Sequence, residues 1–288
     1  MKISYEFIAE NTVDSVIFNL KKYGIAVVPG YLGNDVVQKL NAEFEKSLTD
    51  KAQSTYAHSK HPTNVDGKAA RLNPWHPEVK NEFPLIASVF HEDFMQKIAD
   101  AYYAPHPYSF NEAVFITNEF PCEVPILPWH FDRVQSLKFW FNLTETTKSN
   151  GAFEYCPGTH WEGRYRAGYH LSQGVCVEDI PNDIDEDLIR NAVAIEVNAG
   201  DLVIFDADGF HRGGVVDAGG ERRVLRAHTY PKGRRYGDAL FSAGWWLRSV
   251  LNLNKWAGSA STRILGDKIN EHTLNRNDYG APKMEDHN

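Results

Sequence analysis

The sequence predicts a mainly β protein with flanking helices, of the sandwich or jelly-roll type, and three observations carry that expectation. From about residue 108, short apolar segments are separated by Gly, Pro and Asn-Gly breaks: YSFNEAVFITNEF, LKFWFNLTE, GAFEYCPGTH, NAVAIEV, GDLVIFDADGFHRGG and ERRVLRAHTYP. The longer helical patterns lie to either side of this run. With 42% hydrophobic and 24% charged residues, the 288-residue chain has enough apolar surface to bury a large core without staples. The expected organisation is one domain over residues 1–288, with N-terminal helices within 11–48, a β core over about 108–232 and a C-terminal helical extension over 238–288.

Taken in order, ENTVDSVIFNLKKYG has Asn11 or Thr12 as a helix cap, an apolar stripe through Val13, Val16, Ile17 and Leu20, and Gly24 as its stop. IAVVPG reads as a buried strand, and NDVVQKLNAEFEKSL as a second helix opened by Asn34. Residues 50–83 hold His58, His61 and His76 among Pro and Gly, with little periodicity, and read as a long polar loop region. SVFHEDFMQKIADAYY has helical spacing at Val89, Phe90, Phe94 and Ile98, which sends His91 and Asp93 to different faces of a solvated helix surface. The acidic insert EDIPNDIDEDLIRNA should carry a helical turn. The Trp-rich stretch after Pro231 reads as a helix, and its aromatic content hints at a homodimer.

Composition also bounds function. A formal charge of -8 lacks the basic face that phosphate backbones require, which excludes nucleic acid and points to a small-molecule partner. Three cysteines with no CxxC spacing fit neither a disulfide framework nor a zinc finger and suggest a reducing, cytoplasmic setting. The opening MKISYEFIAENTVD lacks the pattern of a secretory signal, and no uncharged stretch approaches the roughly 18 residues of a membrane span.

The chemistry is concentrated in PWHFDR, residues 128–133. In an extended segment, residues i and i+2 point the same way, so His130 and Asp132 can reach one ion. HxD alone is a common pattern, and His91-Glu92-Asp93 is a second instance. A third ligand is offered by His211 in GDLVIFDADGFHRGG, whose bland alternative is a core or turn histidine. Two imidazoles and one carboxylate leave three open positions, the arrangement of non-haem Fe(II) oxygenases, whereas a structural zinc wants four protein ligands. Arg222 and Arg226 follow His211 by 11 and 15 residues, and positions 222, 224, 226 and 228 share one face of a strand. A buried guanidinium needs an anion, which a dicarboxylate co-substrate supplies through paired hydrogen bonds. The alternative is that Arg222 pairs with Glu221 or Asp217.

Four stretches together resemble the phytanoyl-CoA dioxygenase-like branch of the Fe(II)- and 2-oxoglutarate-dependent oxygenases over roughly residues 20–232: YGIAVVPGYLGNDVVQKLNAEFEK, LPWHFDR, FWFNLTETTKSNGAFEYCPGTH and GDLVIFDADGFHRGG with ERRVLR. The resemblance implies a double-stranded β-helix, a cupin-like jelly roll. It implies Fe(II) on His130, Asp132 and His211, O2 as oxidant and the 2-oxoglutarate C5 carboxylate on Arg222. By the same resemblance, Asn118 or Thr117 is nearest to the C1 carboxylate, and Arg226 touches that carboxylate or the substrate. Trp129 and Phe131 read as packing residues. Gly213 departs from the Ser or Thr that related enzymes often carry two residues after the distal His. Asp132 stands where related halogenases have a small residue, so oxygen insertion or desaturation is preferred. The expected activity is hydroxylation of an unactivated C–H in a small polar metabolite or natural-product intermediate. The loop bearing Lys68, Arg71 and His76 is placed to overhang the barrel mouth and would suit a carboxylate or phosphonate, although a solvated loop is the blander reading. Two other classes remain open: a non-catalytic metal-binding jelly roll, and a cupin-like Zn or Mn enzyme that leaves Arg222 without a purpose.

Overall fold

The computed structural model describes residues 5–50, 68–122, 125, 127–173, 175, 179–182, 184 and 186–232. Its elements in chain order are α1 (Val13–Tyr23), β1 (Ile25–Val28), α2 (Asn34–Asp50), β2 (Lys68–Leu72), α3 (Pro77–Glu82), α4 (Pro84–Ser88), α5 (Asp93–Tyr103), β3 (Tyr108–Ser109), β4 (Val114–Glu119) and β5 (Leu137–Asn142). They continue with β6 (Phe153–Tyr155), α6 (His160–Ser172), α7 (Glu186–Ile189), β7 (Val193–Ile195), β8 (Leu202–Asp206), β9 (His211–Arg212) and β10 (Arg222–Pro231).

Thr12 caps α1 by accepting a hydrogen bond from the Ser15 amide, Val16 and Leu20 are buried on its inner face, and Gly24 ends it at φ +76°. Glycine is required there twice over. The left-handed backbone disfavours a side chain, and a Cβ would run into the Tyr155 hydroxyl and the His160 ring. That hydroxyl donates toward the carbonyls of Gly24 and Asp206, 3.0 Å from each, and so ties the end of α1 to the end of β8.

The strands form two antiparallel sheets. The larger runs β1-β8-β5-β10-β4-β2, with β3 beside β10, and the smaller runs β7-β6-β9. Strand alternation gives the larger sheet two distinct faces. One carries Val114, Ile116, Phe139, Phe141, Ile204 and Leu225, which share a core with Leu20, Leu40, Phe44 and Ile98 of the helices. The other carries Trp140, Val203, Phe205 and Val224 and meets the smaller sheet, whose Phe153 lies 4.5 Å from Phe205 and 5.5 Å from Trp140 between ring centroids. Layering apolar helices on one face leaves the other free to enclose a site.

Several expectations are corrected. The polar loop read over 50–83 contains strand β2 and helix α3. Ala70 and Leu72 of β2 enter the core, so a strand this short at the sheet edge leaves too few residues to show periodicity. His91 is not on a solvated helix surface. The helix breaks between Ser88 and Asp93, and the partly buried ring sits 3.0 and 3.1 Å from the carbonyls of Ala87 and Asn111. PWHFDR is not a continuous strand, because only His130 pairs, in a single bridge to His211. Helix α6 was not expected. The acidic insert does carry its turn as α7. The C-terminal extension over 238–288, with its aromatic dimer surface, lies outside the described residues, as do His58 and His61.

Candidate metal centre

His130 and His211 face each other because their main chains are paired: each amide donates to the other's carbonyl, at 3.0 and 2.9 Å. The rings lie 4.3 Å apart. Asp132 joins them from the turn that follows, its amide bonded to the Ala207 carbonyl at 2.8 Å. Asp132 Oδ1 is 3.7 Å from Nε2 of His130 and 3.7 Å from Nε2 of His211. Ligand atoms at right angles around an ion at about 2.1 Å lie about 3 Å apart, so a small closure brings all three onto one centre.

The protonation pattern suits a metal. Nδ1 of His130 is 2.8 Å from the Pro128 carbonyl, and Nδ1 of His211 is 2.8 Å from the Gly209 carbonyl. A carbonyl only accepts, so each Nδ1 carries the proton and each Nε2 presents its lone pair inward. Burial lowers the pKa of both imidazoles, that of His211 well below the ordinary value, with the neighbouring charge of Lys138 adding to the effect. Burial alone would raise the Asp132 carboxyl, but the Lys138 ammonium beside it overcomes this and holds Asp132 below the usual carboxylate range. Neutral imidazoles and an ionised carboxylate are the states a cation binds. Among the described residues this is the cluster of three His, Cys, Asp or Glu side chains able to hold an ion.

Two supporting residues had no sequence signal. Lys138 on β5 places its ammonium 2.7 Å from Asp132 Oδ2, leaving Oδ1 toward the histidines. Asp208 accepts hydrogen bonds from the amides of Val134 and Gln135, in a turn where Arg133 and Gln135 take positive φ. The buried carboxylate thereby shapes the loop that presents Asp132. The GAFEYCPGTH stretch secures the other side: Tyr155 pairs with His211, the Cys156 amide bonds the Phe210 carbonyl at 2.9 Å, and Thr159 Oγ1 accepts from the Phe210 amide at 2.8 Å.

The remaining expected site residues divide by strand parity. Arg222 is buried on the inner face, but its partner is neither Glu221 nor Asp217. It donates to the Gly151 carbonyl and to Glu119, the residue opposite it on β4. A buried internal anion therefore meets part of the need that the sequence argument assigned to a ligand. Glu221 instead pairs with Arg223. A Cβ at Gly213 would lie 3.5 Å from Arg222 Nη2, so the chain leaving His211 passes beside this guanidinium. Thr117 is buried on the inner face, and its hydroxyl has no hydrogen-bond partner among the described residues. Asn118 points the other way. It donates to Glu221 at 2.7 Å and stands opposite Arg223, whose contacts are with Asn41 and Glu45 of α2, so it is not brought to the triad. Arg226 lies on the inner face between Phe115 and Trp140, 5.6 and 5.8 Å from their centroids. Phe131 packs against Phe210, and Arg212 covers Trp129, in line with packing roles.

Known proteins share the fold that carries this site. The family model described as phytanoyl-CoA dioxygenase matches residues 20–224. No curated protein sequence matches the chain. Among solved structures, the epimerase SnoN in complex with Fe3+, alpha ketoglutarate and nogalamycin RO superimposes with a TM-score of 0.54 at 16% identity, covering 76% of this chain and 83% of its own. The carbocyclase SnoK from nogalamycin biosynthesis gives 0.53 at 19% identity, covering 76% and 85%. HygX from Streptomyces hygroscopicus, with nickel, 2-oxoglutarate and hygromycin B bound, gives 0.52 at 14% identity, covering 75% and 86%. At these identities the likeness speaks for the fold. No helix among the described residues is long and apolar enough to cross a membrane.

Proposed function

The chain belongs to the phytanoyl-CoA dioxygenase family, and on that premise we propose that it is an Fe(II)- and 2-oxoglutarate-dependent oxygenase that hydroxylates an unactivated C–H of a small polar metabolite or natural-product intermediate. The observation that carries the proposal is the convergence of two inward Nε2 lone pairs and one carboxylate oxygen from His130, His211 and Asp132. We read the two packed sheets as the halves of a double-stranded β-helix.

In this reading the iron, when bound, supplies oxygen activation coupled to decarboxylation of 2-oxoglutarate, and the protein supplies position and electrostatics. His130, Asp132 and His211 would hold the iron through three ligand atoms, and such a donor set would leave room for co-substrate and oxygen. Arg222 holds the C5 carboxylate. Its orientation is set by Glu119 and the Gly151 carbonyl, and stacking against Trp140 at 6.0 Å orients its plane. Thr117, with its buried hydroxyl on the same face, serves the C1 end. Asp132 stays ionised because the Lys138 ammonium stabilises its charge, and the carbonyl-held Nδ1 protons keep both rings in the ligating tautomer. The inner face excludes bulk water through Trp140, Phe153 and Phe205. The carboxylate at 132 supports oxygen insertion over halide transfer.

The test is direct. Fe(II) and 2-oxoglutarate added without oxygen should give the weak visible charge-transfer band of the chelate. Oxygen with a screened set of small metabolites should then release succinate with a hydroxylated product. Absence of both band and succinate rejects the enzyme; succinate with an epimerised, cyclised or desaturated product rejects hydroxylation alone.

A further inference from the structure

We propose that the substrate carries an anionic oxygen group, a carboxylate or a phosphate, bound by Arg71 and His228 on the inner face beside the metal centre, with the Arg226 charge in the row adjoining His228. The inference rests on the oxygenase reading above and adds the substrate class to it. Strand register places Arg71 opposite Phe115, Phe115 opposite Arg226, and Arg226 opposite Trp140. A single row across β2, β4, β10 and β5 thus alternates cation, ring, cation, ring. The guanidinium carbons lie over those rings, Arg71 at 5.4 Å from Phe115 and Arg226 at 5.6 and 5.8 Å from Phe115 and Trp140. Stacking on Phe115 engages the plane of the Arg71 guanidinium and leaves its N–H edge for a planar oxyanion, a mode lysine does not share.

The neighbouring residue on the same face gives an independent pointer. His228 stacks on Phe115 at 4.8 Å, and its Nδ1 lies 2.9 Å from the Tyr230 hydroxyl. Its Nε2 is buried with no hydrogen-bond partner among the described residues. Its cross-strand neighbour is Lys138, which holds Asp132, so the row lies next to the metal ligands. Burial, followed by the charges of Lys138, Arg226 and Arg71, pushes the His228 pKa well down, and Asp132 opposes them. Arg71 forms no ion pair among the described residues. The co-substrate has two carboxylates, and both are already provided for by the metal with Thr117 and by Arg222. Arg71, one strand beyond Phe115 on edge strand β2, is left for a third anion.

The test uses the full chain loaded with Fe(II) and 2-oxoglutarate. A matched panel of carboxylic acids, phosphate monoesters and their neutral amides and alcohols is assayed by succinate release and by perturbation of the anaerobic band. One anionic class should stimulate release while its neutral counterparts do not, and which class does so separates carboxylate from phosphate. Arg71→Gln should raise the KM for the active anion at least about tenfold, the loss of one charge-assisted hydrogen bond, and Arg71→Lys should recover part of it. In both variants the band and the KM for 2-oxoglutarate should be unchanged. Equal stimulation by neutral members, no stimulation by any anion, or a shift in the 2-oxoglutarate KM instead overturns the proposal. Loss of the band in the wild-type protein is a different failure, because it removes the oxygenase reading itself.

Discussion

Two buried clusters of charge lie on either side of residues 206–211, and they are built on opposite principles. In the first, Arg164 of α6 pairs with Asp206 and lies 3.6 Å from Asp208, while Tyr102 donates to Asp206 and Asp208 accepts from two amides. Its charges are spent on one another. In the second, the Nδ1 atoms of His130 and His211 are tied to backbone, yet both Nε2 atoms and one Asp132 oxygen are directed at a common point with no bond among them. The first is a brace and the second a socket. Buried charge alone therefore does not mark a site. The marker is polar atoms whose geometry is fixed from behind and unsatisfied in front.

The sharpest break in that contrast is His211→Ala. Removing one of three ligands should lower Fe(II) affinity by more than about 100-fold and abolish the charge-transfer band, with the fold retained, as circular dichroism would show. Arg164→Met should do the reverse, leaving two buried carboxylates without their cation and costing about 3–5 kcal/mol in denaturant unfolding. Lys138→Met tests the link between charge and socket. Loss of the ammonium on Asp132 Oδ2 should weaken metal binding about 10- to 100-fold in a calorimetric titration, with Lys138→Arg falling between. The smallest effect is expected from Asp208→Asn. Burial and the nearby Asp206 push the Asp208 carboxyl up to about 7. The folded state then binds more protons than the unfolded chain between about pH 4 and pH 7, so this group's contribution makes stability fall as pH rises through that window. The asparagine variant keeps an oxygen for the Val134 and Gln135 amides and should flatten that fall.

Much of the socket was legible in the sequence and little of the brace. The i, i+2 spacing of His130 and Asp132 survives although the segment is a bridge and a turn rather than a strand, because both residues still project to one side. The choice between Thr117 and Asn118 needed register: opposite Val224 a side chain faces inward, and opposite Arg223 it faces the helices. Glu119 escaped notice for the same reason, since its pairing with Arg222 spans 103 residues. Lys138 looks like any lysine in a strand until β5 is set beside His228. Helix α6 carries Gly163 and Gly168 and a weak apolar stripe, so local propensity gave no warning of it. At Gly163 a Cβ would strike the Asp208 carbonyl, which explains the glycine by tertiary packing.

The two histidines are spaced by reciprocal main-chain hydrogen bonds, so that separation is set by the backbone at the two positions themselves. Such a design lets loops elsewhere in the chain be lengthened, shortened or rewritten while the spacing of the two rings is kept.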